Sequence, residues 1–153
     1  MLNSSDVLAK SFDELTKIEL YSILALRVQV FCVEQNCPYQ DLDNKDQQSQ
    51  HIFIKDADII AAYARIISVE DHVFHIGRVV VNESYRKHGL ATIIMKNCIS
   101  TIQANNHGKN KLTIVISAQS YLKGFYQGLG FKSTGKFYLE DDIPHEQMQI
   151  VVD

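Results

Sequence analysis

A β-branched run, a basic glycine turn and a long amphipathic segment follow one another in mid-chain, and this succession most narrows the folds open to the sequence. Arg78-Val79-Val80-Val81 reads as a strand, and the turn that follows contains Arg86, Lys87, His88, Gly89, Leu90 and Ala91. Leu90 to Asn105 then carries apolar residues at helical spacing and stops at Asn106-His107-Gly108. A strand that feeds such a helix through a turn must pack the helix back onto a sheet. The turn itself has chemical potential. Gly89 lets the backbone approach a ligand closely, while the free N–H groups and positive dipole end of a helix N-terminus favour a diphosphate. Arg86 and Lys87 add charge at the same place. A ligand-free helix start uses the same residue types, so this stretch taken alone leaves both readings open.

The flanking sequence predicts an α+β arrangement. Thr16 and Glu19 have capping-box spacing ahead of Leu20, Ile23, Leu24, Arg27, Val28 and Phe31, which reads as a first amphipathic helix. A polar loop, Gln40 to Gln50, follows. Strand-like runs at His51 to Lys55, Ile59 to Val69 and Val73 to Val81, separated by short acidic turns, predict an antiparallel meander. After the long helix, Leu112 to Ala118 is apolar enough for a buried strand. Gln119-Ser120 starts a helical pattern with Leu122, Phe125 and Leu129 on one face, Gly128 and Gly130 end it, and Phe131 to Tyr138 is strand-like again. Mixed order of this kind argues for helices around one sheet rather than a doubly wound fold.

Composition sets the outer bounds. The 153 residues, with no repeat, low-complexity tract or Pro/Gly-rich linker, predict a single domain spanning 1–153. A chain of this length buries roughly two-thirds of its unfolded surface. With 46% hydrophobic and 22% charged residues it is neither disordered nor membrane-like. No apolar run approaches the ~20 residues that span a bilayer, and Met1 to Asp6 has no basic region leading into an apolar one, so a cytoplasmic protein is expected. Cys32, Cys37 and Cys98 lack zinc-knuckle spacing and read as reduced thiols. A formal charge of −3 carries no nucleic-acid signature.

The strand, turn and helix around Arg86 to Ala91 resemble motif A of the GNAT superfamily of N-acetyltransferases, whose R/Q-x-x-G-x-G/A loop holds the pyrophosphate of acetyl-CoA. The strand Leu112 to Ala118, the helix after it, its Gly-Phe end and the placement of Tyr126 resemble motif B. Phe31-Cys32-Val33-Glu34-Gln35, Cys37-Pro38-Tyr39, the Asp41/Asp43/Asp46 loop ending at His51, Gly77-Arg78-Val79, Ala118-Gln119, Phe125-Tyr126 and Ile143-Pro144-His145 with Met148 are similar to the ElaA-like branch. Ala91 stands where many relatives carry a third glycine, and its methyl group fits there. The resemblance implies a single GNAT-like α+β domain with a mixed, mostly antiparallel sheet of about six or seven strands flanked by helices. It implies that acetyl-CoA is the donor and that Val79, Val80, Val81, Arg86, Lys87, His88, Gly89, Leu90, Ala91 and Gln119 form its site. It further implies that the strand Ile76 to Val81 splays from its neighbour, leaving main-chain groups of Val79 and Val81 free for the pantetheine arm and the acetyl oxygen. An ordinary core strand is compatible with the same side chains.

Acyl transfer from a thioester to an amine needs a neutral amine, a polarised carbonyl and a leaving thiolate that can be protonated. Tyr126 suits the last task, because a phenol of pKa near ~10 stays protonated at neutral pH beside a thiol of pKa near ~8.5. Glu34, at the end of the first helix, is the first candidate for the base, provided its pKa is raised. His145 is second, as a substrate-side group, and His51 and His75 are further rivals. Asp41, Asp43 and Asp46 fail the calcium-loop pattern, since Lys45, Asp46 and Ile52 occupy its fifth, sixth and twelfth places. No metal is expected, and the loop reads as solvated, lining the acceptor cleft.

The reading that follows is acetyl transfer from acetyl-CoA to a primary amine by direct attack in a ternary complex. The acceptor is a small-molecule or peptide amine, no nucleic acid or membrane partner is expected, and a homodimer is left open. The alternative is a non-catalytic acyl-CoA sensor or interaction module. It would keep the turn and dispense with Glu34 and Tyr126, both of which are present.

Overall fold

Alternation along the inner strands sends apolar side chains to both faces of one sheet, and a helix covers each face. The computed structural model describes Met1–Asp153. Its strands are β1 (Val7–Ser11), β2 (Gln50–Asp56), β3 (Ile59–Glu70), β4 (Val73–Val81), β5 (Leu112–Gln119), β6 (Lys132–Glu140) and β7 (Ile143–Val152). The helices are α1 (Lys17–Arg27), α2 (Leu90–Asn105) and α3 (Lys123–Gly128). The seven strands are ordered β1-β2-β3-β4-β5-β7-β6, and only the β4–β5 pair is parallel. Ile52 and Ile54 join Ile94, Met95, Cys98 and Ile102 of α2 in the main core. Phe53, between them, points the other way and meets Ile23 and Leu26 of α1 together with Tyr63 and Val80. No helix is long and apolar enough to cross a membrane. All three cysteines are free thiols, with Cys37 and Cys98 buried.

The meander β2-β3-β4 and the helix α2 lie where the sequence predicts them. Three features differ. β1 is an edge strand without clear alternation, held by its antiparallel register against β2, so the signal lies in its partner. The motif-B helix is short, with a 3₁₀ turn at Ser120–Leu122 before α3. The first helix does not run as one α-helix to Phe31. It widens after Arg27 into a π-helical stretch, Val28–Glu34, closed by i→i+5 bonds from Gln35 N to Val30 O (3.2 Å) and Cys37 N to Cys32 O (2.9 Å).

The loop from Gln40 to Gln50 corrects an expectation. It is not a solvated acidic loop, because Asp41 and Asp46 are buried and its three aspartates face three arginines from distant elements. Arg27, fully buried on α1, donates from Nε to Asp41 Oδ2 (2.9 Å) and from Nη1 to Asp46 Oδ1 (2.7 Å). Arg65 on β3 donates to Asp46 Oδ1 (3.0 Å) and Asp43 Oδ1 (2.9 Å). Arg78 on β4 approaches Asp41 and Asp43. The arginine beside Asp43 holds its carboxyl well below the usual range; burial pushes Asp46 upward, but Arg27 and Arg65 outweigh it.

The capping box forms as the sequence predicts. Thr16 Oγ1 accepts from Glu19 N (3.0 Å) and Glu19 Oε1 accepts from Thr16 N (2.9 Å). Glu19 also binds Lys10 (2.9 Å) and Lys55 (2.9 Å). Burial raises its pKa, yet the Thr16 N–H and the two lysines prevail and bring it down from 4.5 to about 2. Its folded pKa is thus depressed, so the stability it contributes is complete above pH 4.5 and is lost as the pH falls toward 2. Glu19→Gln keeps the capping-box geometry and removes the charge. It is expected to lose about 1–2 kcal/mol at pH 7, after discounting for the half-exposed lysines, and to converge with the wild type in acid. Urea unfolding at several pH values checks this, and a gap independent of pH would assign the loss to packing.

Candidate active site

A parallel strand pair that stops pairing must open a gap, and this sheet does so in its centre. β4 and β5 pair only over Val73–His75 and Thr113–Val115. Beyond them the strands diverge around a cleft of about 940 Å³, lined by Ile76 to Val81 on one side and by Ile116, Ser117 and Gln119 on the other. The splay implied for Ile76 to Val81 is thus present. β4 also carries a bulge. Tyr63 pairs with Val80 and Arg65 with Gly77, so Arg78 and Val79 together oppose Ala64 alone. Arg78 takes a φ of +54° at this point.

The basic glycine turn lies at the same cleft. Gly89 is the N-cap of α2 with φ +76°, no side chain caps the helix, and a Cβ at Gly89 would meet nothing within 4 Å. The turn therefore keeps its first-turn N–H groups clear of side-chain partners, with room for an anion. Arg86, Lys87, Gly89, Leu90 and Ala91 line the cleft, whereas His88 is exposed and does not.

Glu34 and Arg86, assigned separate tasks by the sequence, grip each other. Arg86 donates from Nη1 to Glu34 Oε1 (2.6 Å) and from Nη2 to Glu34 Oε2 (3.0 Å), while its Nε donates to Val81 O (3.1 Å). The Arg86 guanidinium lowers the Glu34 pKa, the opposite of the raised value expected of a base at this helix end. Next to this pair, Gln119 Nε2 donates to Gln35 Oε1 (3.3 Å), joining β5 to the end of the π-helical stretch.

Tyr126 on α3 is buried against Phe125 and Phe131 and still lines the cleft. Burial pushes its phenol up to about 12, so it is protonated at neutral pH. His145 on β7 also lines the cleft, stacked on Tyr138 with its Nδ1 2.7 Å from Ile143 O and its Nε2 3.3 Å from Glu140 Oε2. Tyr138 in turn hydrogen-bonds Ser117. His75 lines the cleft as well. His51 does not; it is fully buried, with Tyr63 Oη at Nδ1 (2.7 Å) and Asp46 O at Nε2 (2.9 Å).

Sequence reasoning missed Arg78, Tyr39 and Tyr138 as cleft residues. For Arg78 a signal existed, because an isolated glycine inside a strand, here Gly77, marks a bulge. Tyr39 and Tyr138 had none, since residues far apart in the chain meet there only through the sheet.

A family model, acetyltransferase (GNAT) domain, matches residues 19–152. Protein ElaA of Escherichia coli is 40% identical over 136 residues, which cover 86% of this chain and 87% of that protein. The crystal structure of Escherichia coli ElaA matches 94% of this chain and 97% of its own, at 36% identity and a TM-score of 0.85. That of an acyl-CoA N-acyltransferase from Pseudomonas aeruginosa matches 94% of this chain and 98% of its own, at 34% identity and a TM-score of 0.86.

The ion pair has a direct readout. Arg86→Ala removes the cation that depresses Glu34, so the Glu34 carboxyl pKa is expected to rise toward the ordinary range. A ¹³C NMR titration of the glutamate carboxyls checks this, and an unmoved Glu34 would mean that the pair does not persist in solution.

Proposed function

The chain belongs to the GNAT acetyltransferase family, and on that premise we propose that it transfers the acetyl group of acetyl-CoA to a primary amine by direct attack within a ternary complex. The observation that carries the proposal is the cleft between β4 and β5, which brings an uncapped helix N-terminus, unpaired strand backbone and a protonated tyrosine to one cavity. The N–H groups of Gly89, Leu90 and Ala91, with Lys87, suit a diphosphate. Main-chain groups of Val79 and Val81 suit the pantetheine arm and the acyl oxygen, with Val80 turned into the α1 side of the core. Gln119 borders the same channel. The acceptor is a small-molecule or peptide amine and the setting is the cytoplasm.

Tyr126 serves the leaving group. As the amine nitrogen bonds to the acyl carbon and the C–S bond breaks, the phenol O–H donates to the departing sulfur. With a phenol near 12 and a free thiol near ~8.5, complete proton transfer is uphill by roughly 5 kcal/mol, so the hydrogen bond to the thiolate carries most of the effect. Tyr126→Phe keeps the packing and deletes the hydroxyl. It is expected to lower kcat about 10²-fold or more while acetyl-CoA binding changes little. Steady-state kinetics on an amine panel, read by free-thiol release, checks this; unchanged turnover would return Tyr126 to a packing role. Donor binding with no turnover on any amine would favour the sensor reading.

Glu34 is the proposed base, with one condition. While Arg86 holds it, its basicity is low, and a diphosphate arriving at the turn competes for the same guanidinium. Donor binding thereby releases the carboxylate. Glu34→Gln is expected to depress kcat/KM at neutral pH and to recover toward high pH, where more amine is already neutral. Comparing kcat/KM against pH for the two proteins decides it. Superimposable curves would pass the role to His145, whose Nε2 lies 3.3 Å from Glu140 Oε2 at the cleft.

A further inference from the structure

We infer that Arg78 is a positioning residue for acyl transfer: its side chain, tied to Asp41 and Asp43, holds the β4 bulge in the conformation that turns strand backbone toward the acyl oxygen. The inference rests on the acetyl-transfer reading and names the residue that sets the geometry of the polarising strand.

The backbone poses the question. A φ of +54° places Arg78 in the left-handed region, which a residue with a Cβ enters only at a cost. Glycine satisfies that conformation without strain, and the strand has one next door at Gly77. The bulge nevertheless centres on an arginine, so the reason lies in the side chain.

That side chain is anchored at several points. Arg78 Nη2 donates to the main-chain O of Asp41 (2.9 Å) and to Asp43 Oδ2 (3.4 Å). Its Nε lies 2.8 Å from Asp41 Oδ1, a charge contact rather than an aligned hydrogen bond. The guanidinium also sits over the ring of Tyr39, 5.8 Å from its centroid. The anchor is itself rigid, because Asp41 is 3% exposed and accepts from Arg27 Nε (2.9 Å) and Tyr39 Oη (3.2 Å). A strained strand residue is thus bolted to a buried carboxylate that a second, fully buried arginine holds in place.

The consequence reaches the cleft wall. Gly77, Arg78 and Val79 all line it, and the bulge withholds part of their backbone from the ladder with β3. A strand that relaxed to regular pairing would use those groups against Ala64. The anchor opposes that relaxation from outside the strand, through a loop whose Asp43 and Lys45 also line the cleft.

Arg78→Gly separates side chain from conformation, since glycine accepts the left-handed region and offers no anchor. The measurement is the infrared carbonyl stretch of ¹³C-labelled acetyl-CoA bound to the full chain, with calorimetric affinities for acetyl-CoA and for CoA, which has no acyl oxygen. Wild type is expected to shift the stretch to lower frequency than in the free thioester. Arg78→Gly is expected to lose that shift and to bind acetyl-CoA about tenfold more weakly, with CoA affinity held within about twofold. Arg78→Lys keeps the charge and lacks the planar fork, and should show a smaller loss of the same sign; it carries the test if the glycine variant does not fold. A wild-type stretch in either variant overturns the inference, because conformation or charge alone would then suffice. Equal loss of acetyl-CoA and CoA also overturns it, as general damage to the cleft. A wild type that binds acetyl-CoA without shifting its carbonyl removes the role of Arg78 and leaves donor binding standing. A wild type that binds no acetyl-CoA removes the acetyl-transfer reading itself, and this inference with it.

Discussion

Everything at the centre of this molecule depends on two parallel strands that pair for three residues and then part. Backbone N–H and C=O groups in a protein interior need partners, so strands that part inside a sheet leave either a penalty or a binding site. Here the parting strands border a cleft of about 940 Å³, lined also by the N-terminus of α2 and by α3. Both elements owe their position to the same two strands. α2 lies in the crossover that a parallel pair of consecutive strands requires, and α3 follows β5 after one 3₁₀ turn. The layout of the cleft is therefore a property of the topology, with side chains added to it.

The buried ionic network answers a second demand, which is to keep the gap from closing or drifting. Three arginines and three aspartates balance in charge, and each arginine comes from a different element, α1, β3 or β4. Such a network is poor at adding stability, because desolvation offsets most of its attraction. It is good at specifying arrangement, because removing a buried member such as Arg27 leaves the buried Asp41 and Asp46 charged and short of a partner. Arg27 lies under the ring of Tyr63, whose hydroxyl reaches His51, so the network continues into the core on the α1 side.

Local rules recovered most of the scaffold. Thr16 and Glu19 announced the start of α1, the alternation from His51 to Val81 announced a meander, and Arg86 to Ala91 stood out because a strand precedes it and a helical period follows. What stayed hidden was non-local. The aspartates after Gln40 looked solvated because their arginine partners lie 14 to 37 residues away along the chain. Glu34 and Arg86 were each legible as charged groups near a site, but their mutual pairing across 52 residues was not. β1 escaped notice because an edge strand borrows its definition from its neighbour.

The π-helical stretch after α1 carries a consequence for how this chain tolerates length change. A π turn holds one residue more than the α turn it replaces, so Val28–Glu34 stores a phase shift in the helix. Deleting a single residue there would turn a π turn back into an α turn and leave the downstream phase nearly unchanged. The same deletion within Lys17–Arg27 would rotate everything downstream by about 100° around the helix axis. Glu34 would then leave the rim of the cleft, and Gln35 would part from Gln119. The chain accordingly absorbs a one-residue deletion in the π stretch and transmits it from α1, although its sequence shows one uninterrupted helix across both.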